Sequence, residues 1–202
     1  MANKKVGCIA LACLTLAFSS CWEKKEQPVV ETPYEKPLPT DEEIVLQRDT
    51  LLFGVLGEET GMSSLQLLTD EGDTLSIMKS APDGYEGRML GDARNYTDRI
   101  TLTARISGEG DLYLISFLNV SQLENLWKND ELSMDLKSDK TVEGQGTKYH
   151  KWHVEGNKLL LTGEYAAEYG QTARIDTAIV EYMDDDSLFL SIPRHGDLRL
   201  GR

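Results

Sequence analysis

Short runs of alternating side chains, separated by turn residues, dominate the chain from Arg48 onward. In "RITLTARI" at residues 99–106, apolar side chains occupy every second position, so they would share one face of a strand. Acidic and glycine-rich tetrapeptides separate such runs, as in "DEGD" at 70–73 and "GEGD" at 108–111. Neighbouring strands joined by short turns predict an all-β protein built from antiparallel meanders. Further turn signals are Gly156-Asn157 and Asp184–Asp186.

One predicted helix interrupts this pattern near the middle of the body. Ser121 and Glu124 have the spacing of a capping box, which predicts Ser121 as the N-cap of a short helix. With this helix as a junction, the sequence predicts two small antiparallel β-barrel or meander domains, at 48–120 and 121–202. One continuous larger barrel is the alternative interpretation. The segment after Trp127 has turn signals for at most about seven short strands.

The first 21 residues have the features of an export signal. Two lysines precede an apolar run of about 13 residues, which is shorter than the ~20 residues that a membrane-spanning helix needs. "FSSC" at 18–21 resembles the lipobox of bacterial lipoproteins, in which the cysteine becomes the first mature residue and carries acyl chains. We therefore expect residues 1–20 to be a signal peptide and Cys21 to be lipidated; an incidental cysteine near an ordinary cleavage site is the alternative. The mature chain would keep one thiol and no internal disulfide, because the three cysteines are Cys8, Cys13 and Cys21.

Residues 21–47 are interpreted as the lipidated cysteine followed by a proline-rich tether. Four of the six prolines lie here, and the apolar residues show no period. Acyl chains on Cys21 would hold the protein to a membrane, which we expect to be the outer membrane, with the periplasmic or the surface face left open. The net charge of −13 becomes −15 once Lys4 and Lys5 leave with the signal. Such a surface repels phosphates, which argues against nucleic acid as a partner.

Four motifs in the second half of the body carry a family resemblance. They are "LNVSQLENLWK" at 118–128, "YHKWHVEGNKLLLTGE" at 149–164, "DTAIVEYMDDDSLFLSI" at 176–192 and "LRLGR" at 198–202. Together they resemble the lipocalin-like lipoproteins of the Bacteroidota, and the first half is similar to the β-domain that often precedes that module. The resemblance implies that Trp127 packs across the floor of a barrel against an arginine from the last strand, either Arg199 or Arg202.

The sequence favours a non-catalytic, lipid-anchored binding module of the cell envelope. The ligand or partner would be a small apolar molecule, a glycan or an envelope protein. A structural subunit of an envelope complex is the main alternative, and a hydrolase using scattered carboxylates is a remote one. The aromatic residues proposed for ligand or partner contact, most of which could equally serve as core packing, are Tyr149, Trp152, Tyr165, Tyr169 and Tyr182.

Signals for catalytic, metal or cofactor chemistry are weak throughout. On a regular strand His150 and His153 would point to opposite faces, so they should not share a metal, and His195 lies in a predicted turn. The sequence has no G-x-S-x-G nucleophile motif, and Asp184–Asp186 lacks the remaining positions of an EF-hand loop. We therefore expect neither a metal nor a cofactor.

Four sites fit the pattern Asp-Ser/Thr-aliphatic or alanine. This pattern is similar to the O-glycosylation signal used on exported Bacteroidota proteins, although Asp-Ser/Thr is also ordinary turn chemistry before a strand. The candidate acceptors are Thr50, Thr74, Thr177 and Ser187.

Overall fold

The computed structural model describes residues 49–167, 170–193 and 196–202, with no account of the side chains at 166, 167, 170 and 171. This part of the chain is almost entirely β-structure, as the sequence predicted, and forms two sheets that curl into barrels. The predicted signal peptide, Cys21 and the predicted tether lie outside the described residues. No helix in the part of the chain that the structure describes is long and apolar enough to cross a bilayer.

The first sheet is a six-stranded, partly closed barrel with the strand order β3-β2-β1-β5-β6-β4. Strands β1 to β3 form a meander and β5 returns to pair with β1, which is a Greek key. Parallel pairing of β3 with β6 closes the barrel, so the sheet is mixed rather than purely antiparallel as predicted. Its strands are β1 (Asp49–Leu56), β2 (Ser64–Thr69), β3 (Thr74–Met78), β4 (Arg88–Leu90), β5 (Arg99–Ile106) and β6 (Leu112–Asn119).

A single helical turn, α1 (Val120–Leu123), joins the two barrels, but its N-cap differs from the prediction. Asn119 is the N-cap residue, and its side-chain oxygen accepts from the Gln122 amide at 2.9 Å. The Ser121 hydroxyl accepts instead from the Arg99 amide, and Glu124 pairs with Lys140. The predicted capping box is therefore wrong, because both of its side chains are engaged by residues distant in the sequence.

The second sheet is an eight-stranded up-and-down barrel, made of β7, which contains Trp127, and the seven strands after it that the sequence indicated. Each strand pairs with the next except β9 with β10, and β14 pairs with β7 through Gly201 and Lys128. A bridge from Thr141 to Lys151 closes the remaining seam beside β10. Its strands are β7 (Leu126–Lys128), β8 (Ser133–Leu136), β9 (Val142–Glu143), β10 (Tyr149–Glu155), β11 (Lys158–Ala167), β12 (Gly170–Met183), β13 (Ser187–Ile192) and β14 (Gly196–Gly201).

A β-bulge in β10 decides which of its side chains enter the barrel. The pairing register with β11 shifts between Tyr149 and Lys151. Because of this extra residue, Tyr149 and Trp152 are both buried, whereas His150 and His153 are both exposed. The expectation that the two histidines point to opposite faces is therefore wrong.

Large apolar side chains form one buried cluster in the second barrel. Met134, Leu161 and Leu190, on β8, β11 and β13, are fully buried in this cluster. At the floor, Leu90 and Leu118 of the first barrel join the same buried cluster, so the two barrels pack directly on each other. The first barrel has its own core, formed by Leu56, Leu65, Leu67, Ile77, Ile100, Leu102, Ala104, Leu114 and Phe117.

Candidate ligand-binding site at the barrel mouth

A buried carboxylate lies near the open end of the second barrel. Asp176 shares the inward face of β12 with Ala178 and Val180, and only 6 % of it is exposed. Burying a charged group is costly unless other groups hydrogen-bond to it or neutralise it. The neighbours of Asp176 therefore define the chemistry of this end of the barrel.

Two phenols and two cations surround this carboxylate. The Tyr149 hydroxyl donates to Asp176 Oδ2 at 2.9 Å, and the Tyr165 hydroxyl donates to the same oxygen. Lys148 Nζ lies 3.7 Å from Oδ2, and Arg174 Nε lies 3.6 Å from Oδ1. Both cations also face the Tyr165 ring, at 4.1 Å for Lys148 and 5.4 Å for Arg174. We call these five residues the Asp176 cluster.

Local backbone features place Tyr149 in this cluster. The β10 bulge turns its ring inward, and the residue opposite it on β11 is Gly163. A Cβ atom at Gly163 would lie 2.9 Å from the Lys148 carbonyl oxygen and 3.0 Å from Tyr149 Cδ1. The glycine therefore gives the ring and the bulged backbone room to approach β11.

The electrostatics of the cluster favour a neutral phenol. Burial raises the pKa of Tyr149 far above its usual value, and the hydrogen bonds with Asp176 and Tyr165 raise this pKa further. Tyr149 therefore remains protonated at neutral pH and donates its hydrogen to the carboxylate. A phenol of this kind serves to orient and hold neighbouring groups rather than to act as a base or nucleophile.

A cleft of about 460 Å³ opens beside the cluster. It lies where the β7–β8, β9–β10 and β13–β14 connections meet, which makes it the mouth of the barrel. Leu132 and Leu198 are partly exposed in its wall, next to Lys148 and Tyr149. Two acidic side chains, Glu131 and Asp197, also line it. Two residues that line the cleft, Tyr149 and Ile192, also belong to the buried apolar cluster of the barrel.

The structure brings together two of the five aromatic residues proposed for ligand contact, Tyr149 and Tyr165. Trp152 lies deeper, where its indole Nε1 donates to the Lys137 carbonyl at 2.9 Å and Lys140 Nζ lies 4.0 Å from its ring centre. Tyr182 is 52 % exposed on the outside of the barrel. Tyr169 lies outside the described residues.

At the opposite end of the barrel, Trp127 is fully buried. Its indole Nε1 donates to the Leu123 carbonyl at 2.8 Å, and the Arg202 guanidinium lies 5.2 Å from its ring centre. Arg199 takes no part in this contact, since it faces outward over the Phe189 ring at 5.1 Å. The floor of the barrel therefore consists of Trp127, Arg202 and the junction helix.

Asp176, Lys148 and Arg174 were not identified as site residues from the sequence. In "RIDTAIV" the register containing Ile175, Thr177 and Ile179 looks at least as suitable for the interior as the one containing Asp176. The observed register leaves Ile175 62 % exposed. A strand with two plausible apolar faces gives no sequence signal for a buried acid.

The remaining sequence candidates are dispersed. Thr74 and Ser187 are exposed first residues of β3 and β13, whereas Thr50 and Thr177 are partly buried within paired strands. Within the described ranges, no group of three or more histidine, cysteine or acidic side chains is placed to hold a metal ion. His195 lies outside these ranges.

Comparison with protein-family models gives a match to the second barrel. Residues 121–199 match a family model described as lipocalin-like. The C-terminal barrel is a lipocalin-like domain. The match spans the junction helix and almost all of β7 to β14, including every residue of the Asp176 cluster. The predicted fold class is thereby confirmed, while all of the predicted domain boundaries stay predictions.

Among solved structures, the chain is similar to a lipocalin-like protein from Bacteroides thetaiotaomicron. The two share 20 % identity, and the match covers 40 % of this chain and 95 % of that protein, with a TM-score of 0.34. No curated protein sequence matches the chain. Lipocalin-like domains are generally binding rather than catalytic modules, with a site at the open end of the barrel.

Proposed function

We propose that this protein is a lipid-anchored, non-catalytic binding protein of the cell envelope, and that it holds a small apolar ligand at the mouth of its lipocalin-like domain. The observation that carries this proposal is the mouth cleft, in which two leucine side chains stay partly exposed beside a fixed tyrosine. The volume of this cleft, about 460 Å³, lies within the range of small-molecule sites, about 300–1,000 Å³. A secretory signal and a lipobox-like cysteine in the sequence support the envelope location.

The packing of the barrel limits the ligand. Since Met134, Leu161 and Leu190 are fully buried in one apolar cluster, a bound molecule would sit at the rim and remain partly solvated. Glu131 and Asp197 line the cleft together with Lys148, and this balance disfavours an anionic ligand. A neutral apolar molecule with a hydrogen-bonding group therefore fits the mouth better than a long fatty acid does.

Titration with the neutral fluorescent probe N-phenyl-1-naphthylamine tests the mouth directly. We expect saturable binding by the wild-type protein and about tenfold weaker binding by Leu132→Glu, because the added carboxylate would have to be desolvated. Leu126→Glu is the matched control, since Leu126 is 43 % exposed on a neighbouring strand and does not line the cleft. Equal affinity of Leu132→Glu and wild type, with both folded by circular dichroism, would contradict the mouth site.

The anchor is tested separately from the ligand. Cys21→Ala is expected to release the protein from the membrane fraction or to arrest it as the precursor, because the acyl chains would have no attachment site. Fractionation and immunoblotting of cells measure this outcome. A variant that stays with the membrane at wild-type size would refute lipidation, and protease treatment of intact cells distinguishes the surface face from the periplasmic one.

The buried apolar cluster of the second barrel favours a second candidate, a structural subunit of an envelope complex. A close-packed core gives the barrel a rigid outer surface for a partner. In this case the naphthylamine probe would not bind the wild-type protein, and chemical cross-linking in intact cells would capture a single stoichiometric partner.

A further inference from the structure

We propose that the N-terminal barrel carries a second ligand site, for a small molecule with an apolar body and one anionic group. The site is a cleft between the β1–β2 connection and the segment that follows β4. We call it the N-terminal cleft and define it by Met62, Lys79, Met89, Arg94 and Tyr96. It lies outside the segment that matches the lipocalin-like family and does not depend on the mouth site.

Two methionine side chains and one tyrosine side chain in the walls of the N-terminal cleft are exposed to solvent. Met62 is 99 % exposed, Tyr96 48 % and Met89 37 %, and together they border a space of about 490 Å³. Flexible thioether side chains adapt to ligands of irregular shape, and a tyrosine offers both a ring face and a hydroxyl. An apolar molecule seated between them would remove this surface from water.

The charged side chains of the N-terminal cleft favour a ligand that carries one anionic group. Lys79 Nζ donates to the Gly61 carbonyl at 2.6 Å and forms no salt bridge with any residue that the structure describes. Arg94 forms an ion pair with Asp92, the one acidic residue lining the cleft. Two cations and one carboxylate leave the cleft with a formal charge of +1.

A positive cleft is unusual on a chain whose net charge is −13. Most of the surface repels anions, so an anionic ligand would be attracted to this cleft in preference to its surroundings. The mouth of the lipocalin-like domain, lined by Glu131 and Asp197, has the opposite balance. The two sites therefore discriminate between ligands by charge.

Binding of 8-anilinonaphthalene-1-sulfonate, an apolar probe with a single sulfonate, tests the N-terminal cleft. We expect saturable one-to-one binding by the full-length mature protein, weakened about fivefold to tenfold in Lys79→Ala and in Met62→Ser. Raising the salt concentration should weaken binding by the wild type and change it little in Lys79→Ala, because the charge interaction is screened. Both residues are partly or fully exposed, so neither substitution should disturb folding.

Matched controls lie on the other barrel. Lys128→Ala removes an exposed lysine and Ile175→Ser an exposed apolar side chain, and neither position lines the N-terminal cleft. Both should bind the sulfonate probe as the wild type does, and Leu132→Glu should do so as well. Absence of saturable binding, unchanged affinity in Lys79→Ala and Met62→Ser, or loss of binding in Leu132→Glu alone would overturn the proposal. The last result would assign the sulfonate to the mouth instead.

Discussion

Trp127→Ala is expected to lower the free energy of unfolding by about 3–5 kcal/mol, the usual cost of removing a buried tryptophan. The side chain is fully buried at the barrel floor, where it closes the space between the junction helix and β14. Alanine would leave a cavity, remove the hydrogen bond to the Leu123 carbonyl and deprive Arg202 of its aromatic partner. A domain with a total stability of about 5–15 kcal/mol would lose a large share of it.

Urea unfolding followed by circular dichroism measures this loss. Leu126→Ala is the matched control, since Leu126 precedes Trp127 on the same strand but is 43 % exposed, and its substitution should cost less than about 1 kcal/mol. Arg202→Ala separates the cation contact from the packing and should cost about 1 kcal/mol. If Trp127→Ala were no more destabilising than Leu126→Ala, the floor would not depend on the indole.

Asp176→Ala is expected to lower the free energy of unfolding by about 2–4 kcal/mol. The substitution leaves the buried Tyr149 hydroxyl without its acceptor and removes the carboxylate that Lys148 and Arg174 approach. The upper limit is lower than for a fully buried ion pair, because the Lys148 and Arg174 side chains are 35 % and 43 % exposed and water screens them. Asp176→Asn keeps one acceptor oxygen and should cost less.

Thermal and urea unfolding measure the stability of these variants. They distinguish the loss of a buried carboxylate from the loss of an exposed one. Asp197→Ala removes an exposed acid at the same end of the barrel and should leave stability within about 0.5 kcal/mol of wild type. A wild-type or higher stability of Asp176→Ala would mean that the buried carboxylate is not stabilising.

The features that the sequence predicted well are local. Hairpin turns at 70–73, 108–111 and 156–157 lie where glycine and acidic residues placed them, because turn conformation depends on the residues of the turn itself. The class of fold followed from these turns and from strand alternation. Trp127 was identified by resemblance, and the structure buries it.

The features that the sequence could not provide depend on partners distant in the chain. Ser121 fits a capping box, but the Arg99 amide takes its hydroxyl, which no local pattern reveals. Parallel pairing of β3 with β6 is equally non-local. At the candidate site, the β10 bulge shifts the register by one residue, and this shift determines that Tyr149 points inward toward Asp176.

The pairing of β14 with β7 also determines when the second barrel can close during synthesis of the chain. Strand β7 is the first strand of its barrel, but one of its two partners is β14, so the barrel stays open until residues 196–201 have been synthesised. A nascent chain in this state presents an unpaired strand edge and an uncovered tryptophan, which other chains can capture. A protein exported as proposed would therefore need protection by a chaperone until residues 196–201 have crossed the membrane.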